Sequence, residues 1–196
     1  MFPSMRTHLL TWLLLAGLAL PQVLAMPAED KATTDRATTS AAHQLLRQLK
    51  QERDPARAAA LREKLQKAWI AAGPISAQVL LKQAESAQAA GLLGTAEELL
   101  RLAVRRWPDY AEARFRLAFF LWQTQRPHQA LSMLDELLQR QPDHFPALLL
   151  RVRLLRALED DEQALHACRT LLQRFPHWRE MQQRCQRLQW RVEQSL

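Results

Sequence analysis

Glycine is nearly absent from this 196-residue chain, which has 4 glycines and a single tyrosine. Gly17 lies in an apolar leader, and Gly73, Gly91 and Gly94 do not cluster as phosphate loops, nucleophile elbows and dinucleotide fingerprints require. The common glycine-dependent enzyme classes are therefore disfavoured. Acid is also short: 20 Asp and Glu face 27 Lys and Arg, for a net charge of +7 and an isoelectric point near 10.2. Taken alone, that balance suggests an anionic partner such as nucleic acid. What the chain does have is 48% apolar residues, enough to bury the core of one domain. Long stretches of Ala, Leu, Gln, Arg and Glu, all strong helix formers, give an all-α composition.

The first 25 residues alter the charge argument. Arg6 precedes an apolar run from Leu9 to Leu20, and Pro21, Val23, Leu24 and Ala25 follow before Met26. A basic start, a short apolar core and small residues at the cut describe a secretory signal peptide over 1–25. The run is also shorter than the roughly 20 residues of a spanning helix. Met5 is an alternative start, and an uncleaved membrane anchor is the competing reading. Cleavage after Ala25 removes Arg6 and no acid, leaving a charge of +6. A periplasmic or secreted protein rarely meets nucleic acid, so the expected partners become an envelope protein or peptide, or an anionic polymer or lipid head group. Residues 26–40, with little apolar content beyond alanine, read as a flexible linker.

Beyond the linker the chain has a fixed period. Pro74, Pro108, Pro142 and Pro176 are spaced 34 residues apart, as are Ala96, Ala130 and Ala164. The apolar slots Leu100/Leu134/Cys168 and Ala103/Leu137/Leu171 keep the same phase and describe three copies of one second helix. Leu80/Arg114/Leu148, Ala84/Ala118/Val152 and Ala87/Leu121/Leu155 describe three copies of a first helix. Small residues at Ala84/Ala118 and Ala96/Ala130/Ala164 allow close helix approach, and each proline ends a second helix. Gly91 and Gly94 are read as breaking the first hairpin, with Thr95 and Glu98 as a capping box for the helix that follows. Pro127 opens the next second helix. The acidic run Glu159 to Glu162 is read as a helix-start cap rather than a metal or acid–base site.

The phase in these slots resembles the tetratricopeptide-repeat family, with residues 77–178 forming three 34-residue repeats. The whole mature chain, with the stretch from Leu61 through Trp69 to Gly73 ahead of the repeats, is similar to small secreted repeat proteins of proteobacteria. The resemblance implies a right-handed α-solenoid of antiparallel helix pairs whose concave face binds a peptide or partner helix. Residues 41–76 are expected to form an N-terminal helical pair, a degenerate repeat or cap, and 179–196 a C-terminal capping helix with Met181, Cys185, Leu188 and Val192 inward. Gln83 and Arg151 occupy a slot usually held by leucine, predicting less regular packing there.

The first helices would line the groove. The residues expected there are Lys82, Phe115, Arg116, Phe119, Trp122, Arg153 and Arg156, arginines beside aromatics, the types that dominate binding energy. Packing on a neighbouring helix is the competing reading for Phe119 and Trp122, and a solvated face for Arg153 and Arg156. The slot Glu85/Phe119/Arg153 lacks the lysine and asparagine of acidic-tail clamps, so that ligand mode is not supported.

Cys168 and Cys185 flank Pro176 at nearly equal distances, so folding back at that turn places them level on facing helices. A disulfide is one reading; two buried thiols, each fitting its apolar stripe, is the other. The histidines share no helix face at metal-ligand spacing, so no metal or cofactor is expected. Nor does any third group or pocket orient a Cys–His nucleophile. The function expected is a non-catalytic binding scaffold of the cell envelope, an adaptor in an assembly or maturation complex. A binder of anionic polymers through the groove arginines is the alternative, and an enzyme ranks last.

Overall fold

A computed structural model describes residues 28–194, with side chains from Ser40 on; the expected signal peptide lies outside them. Within that range the chain forms nine helices and no strand: α1 (Ala28–Gln51), α2 (Pro55–Ala71), α3 (Ile75–Ala89), α4 (Leu93–Arg106), α5 (Ala111–Gln123), α6 (Pro127–Arg140), α7 (Phe145–Ala157), α8 (Asp161–Arg174) and α9 (Arg179–Gln194). No described helix is long and apolar enough to cross a membrane. The helices α3–α4, α5–α6 and α7–α8 pack as successive pairs, each on the next, and α9 closes the row against α8. This is the α-solenoid expected from the repeat.

The period holds to the residue. The second helices begin at Leu93, Pro127 and Asp161 and end at Arg106, Arg140 and Arg174, each 34 residues on. Ala96, Ala130 and Ala164 are wholly buried, leaving no room for a larger side chain where the paired helices cross. The turn between paired helices contains one residue with positive φ in every repeat: Gly91 at 76°, and Gln125 and Glu159 at 60°.

That phase corrects the reading of the first hairpin. Gly94 lies inside α4, and Leu92, without a side-chain cap bond, precedes the helix in place of a Thr95 box. Burial of Ala96 and Leu100 sets the start of α4, outweighing a local cap worth about 1 kcal/mol. The helix-start readings for Pro127 and the acidic run hold, and α2 has a cap of its own. Asp54 accepts from the Arg57 amide at 2.8 Å ahead of Pro55, and Pro127 is the first residue of α6. Asp160 accepts from the Gln163 amide at 3.0 Å, and Asp161 and Glu162 fill the first turn of α8. The leucine-slot departures do not bury an unpaired polar group: Gln83 is exposed and Arg151 pairs with Asp135 across 2.9 Å. Arg114, buried, donates to the Pro108 carbonyl and lies 3.8 Å from Glu136.

The N-terminal segment departs most from expectation. α1 starts at Ala28, so helix occupies most of the segment read as a linker, a consequence of its alanine and charged residues propagating a helix continuous with the apolar stretch from Ala42. The α1–α2 pair also does not add a repeat ahead of α3. Its buried residues, Ala42, Leu49, Ala58 and Leu65, share one core with Phe145, Phe175 and the α7–α9 residues, whereas the core around α3 and α4 draws on neither α1 nor α2.

The hairpin instead lies along the turns that lead into α5, α7 and α9. Tyr110, His144 and Trp178 occupy one repeat slot at those turns, 34 residues apart. The Tyr110 hydroxyl donates to the Ile70 carbonyl at 2.8 Å, His144 stacks on Trp69 with ring centroids 4.7 Å apart, and Trp178 carries the Arg62 guanidinium 4.4 Å over its ring. Lys50 adds an ion pair to Asp143 at 2.7 Å. One consequence is that the first repeat keeps apolar side chains in solvent: Ile75 is 80% and Val79 49% exposed.

Candidate functional site

α3, α5, α7 and α9 stand side by side, and the expected groove residues divide between two hollows on the face they form. The first, about 380 Å³, opens between α3 and α5 and is lined by Leu81, Glu85, Gln88, Arg116, Phe119 and Gln123, among others. The second, about 360 Å³, opens between α7 and α9. Arg153 and Arg156 from α7 meet Arg184, Arg187 and Arg191 from α9 over a floor of Leu149, Val152, Met181, Leu188 and Cys168. Lys82 is exposed and lines neither hollow.

The aromatic row on α5 runs from buried to open. Phe115 is half-buried beside His144, at 5.4 Å between centroids, and 6.4 Å from Phe119. Trp122 is half-buried and meets Phe119 edge-on at 5.7 Å. Both Phe115 and Trp122 pack on the core of the second repeat, which for Trp122 is the competing packing reading. Phe119 is the one left open, at 36% exposure. Arg116 is held by Glu112 at 2.7 Å, a carboxylate that is 2% exposed. Burial pushes the Glu112 carboxyl up, and the Arg116 guanidinium opposes that shift. Arg116 is thus committed to a buried acid, with its remaining donors toward the hollow.

The arginines between α7 and α9 differ in this respect. Arg191 pairs with Asp161 at 2.8 Å. Among the described residues, Arg153, Arg156, Arg184 and Arg187 have neither ion pair nor side-chain hydrogen bond, and no carboxylate lines their hollow. Sequence reasoning named the α7 pair and missed the α9 pair. The signal was present: continuing the 34-residue phase once more carries the slot of Arg153 to Arg187 and the slot of Arg116 to Arg184. Calling α9 a cap stopped the count one step early.

Cys168 and Cys185 are joined in a disulfide between α8 and α9, with Cα atoms 5.8 Å apart. The described residues hold no cluster of three or more His, Cys, Asp or Glu suited to a metal. His144, 1% exposed, accepts from the Ala147 amide at 3.3 Å through Nδ1 and so caps α7. Burial drives its imidazole down to about 3, so it is neutral at physiological pH, a structural group among aromatics rather than a base facing a cleft.

Comparison with known proteins agrees with this architecture. A tetratricopeptide-repeat family model matches residues 87–143 and 121–188. A TPR repeat-containing protein of Rhizobium etli is 29% identical over 133 residues, which is 68% of this chain. The chain spans 65% of that protein's length. Among solved structures, two mutant forms of MamA are similar at 18% and 17% identity, with TM-scores of 0.45 and 0.47. They cover 70% and 83% of this chain, and 96% and 94% of their own. The 34-residue phase, the paired helices and the family match over more than half its length place this chain in the tetratricopeptide-repeat family.

Proposed function

We propose that the protein is a non-catalytic scaffold of the cell envelope that captures a protein or peptide segment on the face built by α3, α5, α7 and α9. Repeats of this family bind proteins and peptides, and the observation that carries the reading is Phe119. Its ring stands over a third exposed on the hollow between α3 and α5, although Leu117, Ala118, Phe120 and Leu121 already fill the core side of α5. An aromatic side chain beyond the needs of packing, beside an arginine, is the usual chemistry of a binding anchor. The apolar leader with Arg6 ahead of it supports an exported location, periplasmic or secreted.

The test is photo-crosslinking in intact cells from a reactive amino acid at Phe119, after fractionation to locate the chain. Specific capture of one or a few envelope proteins is the expected result. Recovery of lipid or polysaccharide alone sinks the adaptor reading. It would favour the alternative, a binder of anionic envelope polymers through Arg153 and Arg156, whose retention would collapse at modest salt because exposed charges are screened.

A further inference from the structure

The hollow between α7 and α9 is not explained by a ligand held at Phe119. Five arginines line a solvent-open cavity with no acid among its lining residues, and only Arg191 is paired, with Asp161. Crowding like charges is unfavourable unless something neutralises them, and elsewhere the chain pairs its basic groups repeatedly, as at Arg116, Arg126, Arg140 and Arg151. The set is also arranged in rows. Arg153 and Arg156 are one turn apart on α7, and Arg184 and Arg187 are one turn apart on α9, so each row spans about 4.5 Å along its axis. The floor beneath them is aliphatic, from Leu149, Val152, Met181 and Leu188.

We infer that this hollow is a binding site for an acidic peptide segment of another protein, one in which carboxylates flank an aliphatic side chain. The inference rests on the scaffold reading and adds a second subsite and the chemistry of its ligand. Rows of guanidiniums match carboxylates distributed along a chain, each taking a forked hydrogen bond. The aliphatic floor takes the side chain between them. A bare polyanion would leave that floor wet, which is why a peptide fits better than polyphosphate or a polysaccharide. The disulfide contributes directly, since Cys168 is part of the floor and its bond to Cys185 fixes α9, which carries half the unpaired arginines.

The experiment uses the purified protein and a fluorescein-labelled peptide of sequence Glu-Asp-Leu-Glu-Asp-Leu-Glu, read by anisotropy at fixed ionic strength. Arg153→Ala and Arg187→Ala are each expected to weaken binding about tenfold, the scale of one lost charge-assisted contact. Both residues are exposed and unpaired, so unchanged melting temperatures are expected for the variants. Arg105→Ala, which removes an exposed charge from α4, leaves binding unchanged. Replacing both leucines of the peptide by serine weakens it by a similar factor. The inference is overturned if the serine peptide binds equally well, if Arg105→Ala costs as much as Arg187→Ala, or if polyphosphate or phosphatidylglycerol vesicles bind more tightly than the peptide. Loss on Phe119→Ala places the peptide between α3 and α5 and overturns this site while leaving the scaffold reading intact. Absence of peptide binding together with specific crosslinks from Phe119 likewise overturns the site alone.

Discussion

Trp69 of α2 lies stacked on His144 at the start of α7, ring centroids 4.7 Å apart and planes within 22°. The pair joins the N-terminal hairpin to the repeat array through a histidine that burial keeps neutral, with its imidazole lowered to about 3. The unfolded chain takes up a proton there below about pH 6.5, while the folded chain does not until near pH 3, so stability is lost as pH falls through that window. One such group adds a slope of at most about 1.4 kcal/mol per pH unit. His144→Gln is expected to be less stable at pH 7 and to have a shallower fall between about pH 6 and 4. Urea unfolding at a series of pH values checks it, and an unaltered slope would show that His144 is not the titrating group.

Gly73 anchors the same hairpin from the other side. A Cβ at this position would overlap the Tyr110 ring, whose hydroxyl holds the Ile70 carbonyl. Neither partner can yield cheaply, since Tyr110 is buried in the first-repeat core. Gly73→Ala is expected to cost about 1–3 kcal/mol, the range for overpacking. The loss should be local: limited proteolysis would cut between α2 and α3 earlier than in the parent chain, while α5 to α8 resist. Tyr110→Phe, keeping the ring and losing one hydrogen bond, should cost about 1 kcal/mol.

The disulfide joins α8 to α9 across a sequence separation of 17. Closing a loop of that size stabilises by about 3 kcal/mol on the chain-entropy model. Reduction, or Cys168→Ser with Cys185→Ser, is expected to lower the melting temperature and to loosen α9 before the rest of the array. Hydrogen exchange over 179–194 separates this from a global effect. Uniform loss of protection along the chain would mean that α9 does not open on its own.

The repeat architecture was legible because packing demands recur at a fixed period: Ala96, Ala130 and Ala164 have one environment, and nothing else at that spacing explains three alanines. The hairpin's location was not legible. Trp69, Leu65 and Leu61 suit an amphipathic helix against any apolar surface, and Pro74 keeps the repeat phase whether or not the segment before it stacks as a repeat. What decided the matter was the slot Tyr110/His144/Trp178, three aromatic or heteroaromatic rings at successive turns. For the groove, residue type marked the candidates well but not their partners: that Arg116 is engaged by buried Glu112 while Arg153 is free depends on contacts no spacing rule supplies.

The turn slot occupied by Gly91, Gln125 and Glu159 provides a controlled comparison, because one backbone conformation is adopted by three residue types. A Cβ at Gly91 meets nothing within 4 Å, so substitution there tests backbone strain without steric clash. The left-handed region costs a residue with a Cβ about 1–2 kcal/mol, partly offset by its smaller unfolded-state entropy. Gly91→Ala is therefore expected to destabilise by about 1 kcal/mol, and Glu159→Gly to stabilise by about 0.5–1 kcal/mol. Glu159 is exposed and in no described ion pair, so its replacement removes no contact, and the neighbouring Asp160 cap is untouched. Both changes should move the urea midpoint in opposite directions with the denaturant slope constant, the signature of altered stability without altered compactness. Equal and opposite shifts would show that the repeat holds this turn by packing of the paired helices, with the residue type at its tip setting only the local strain.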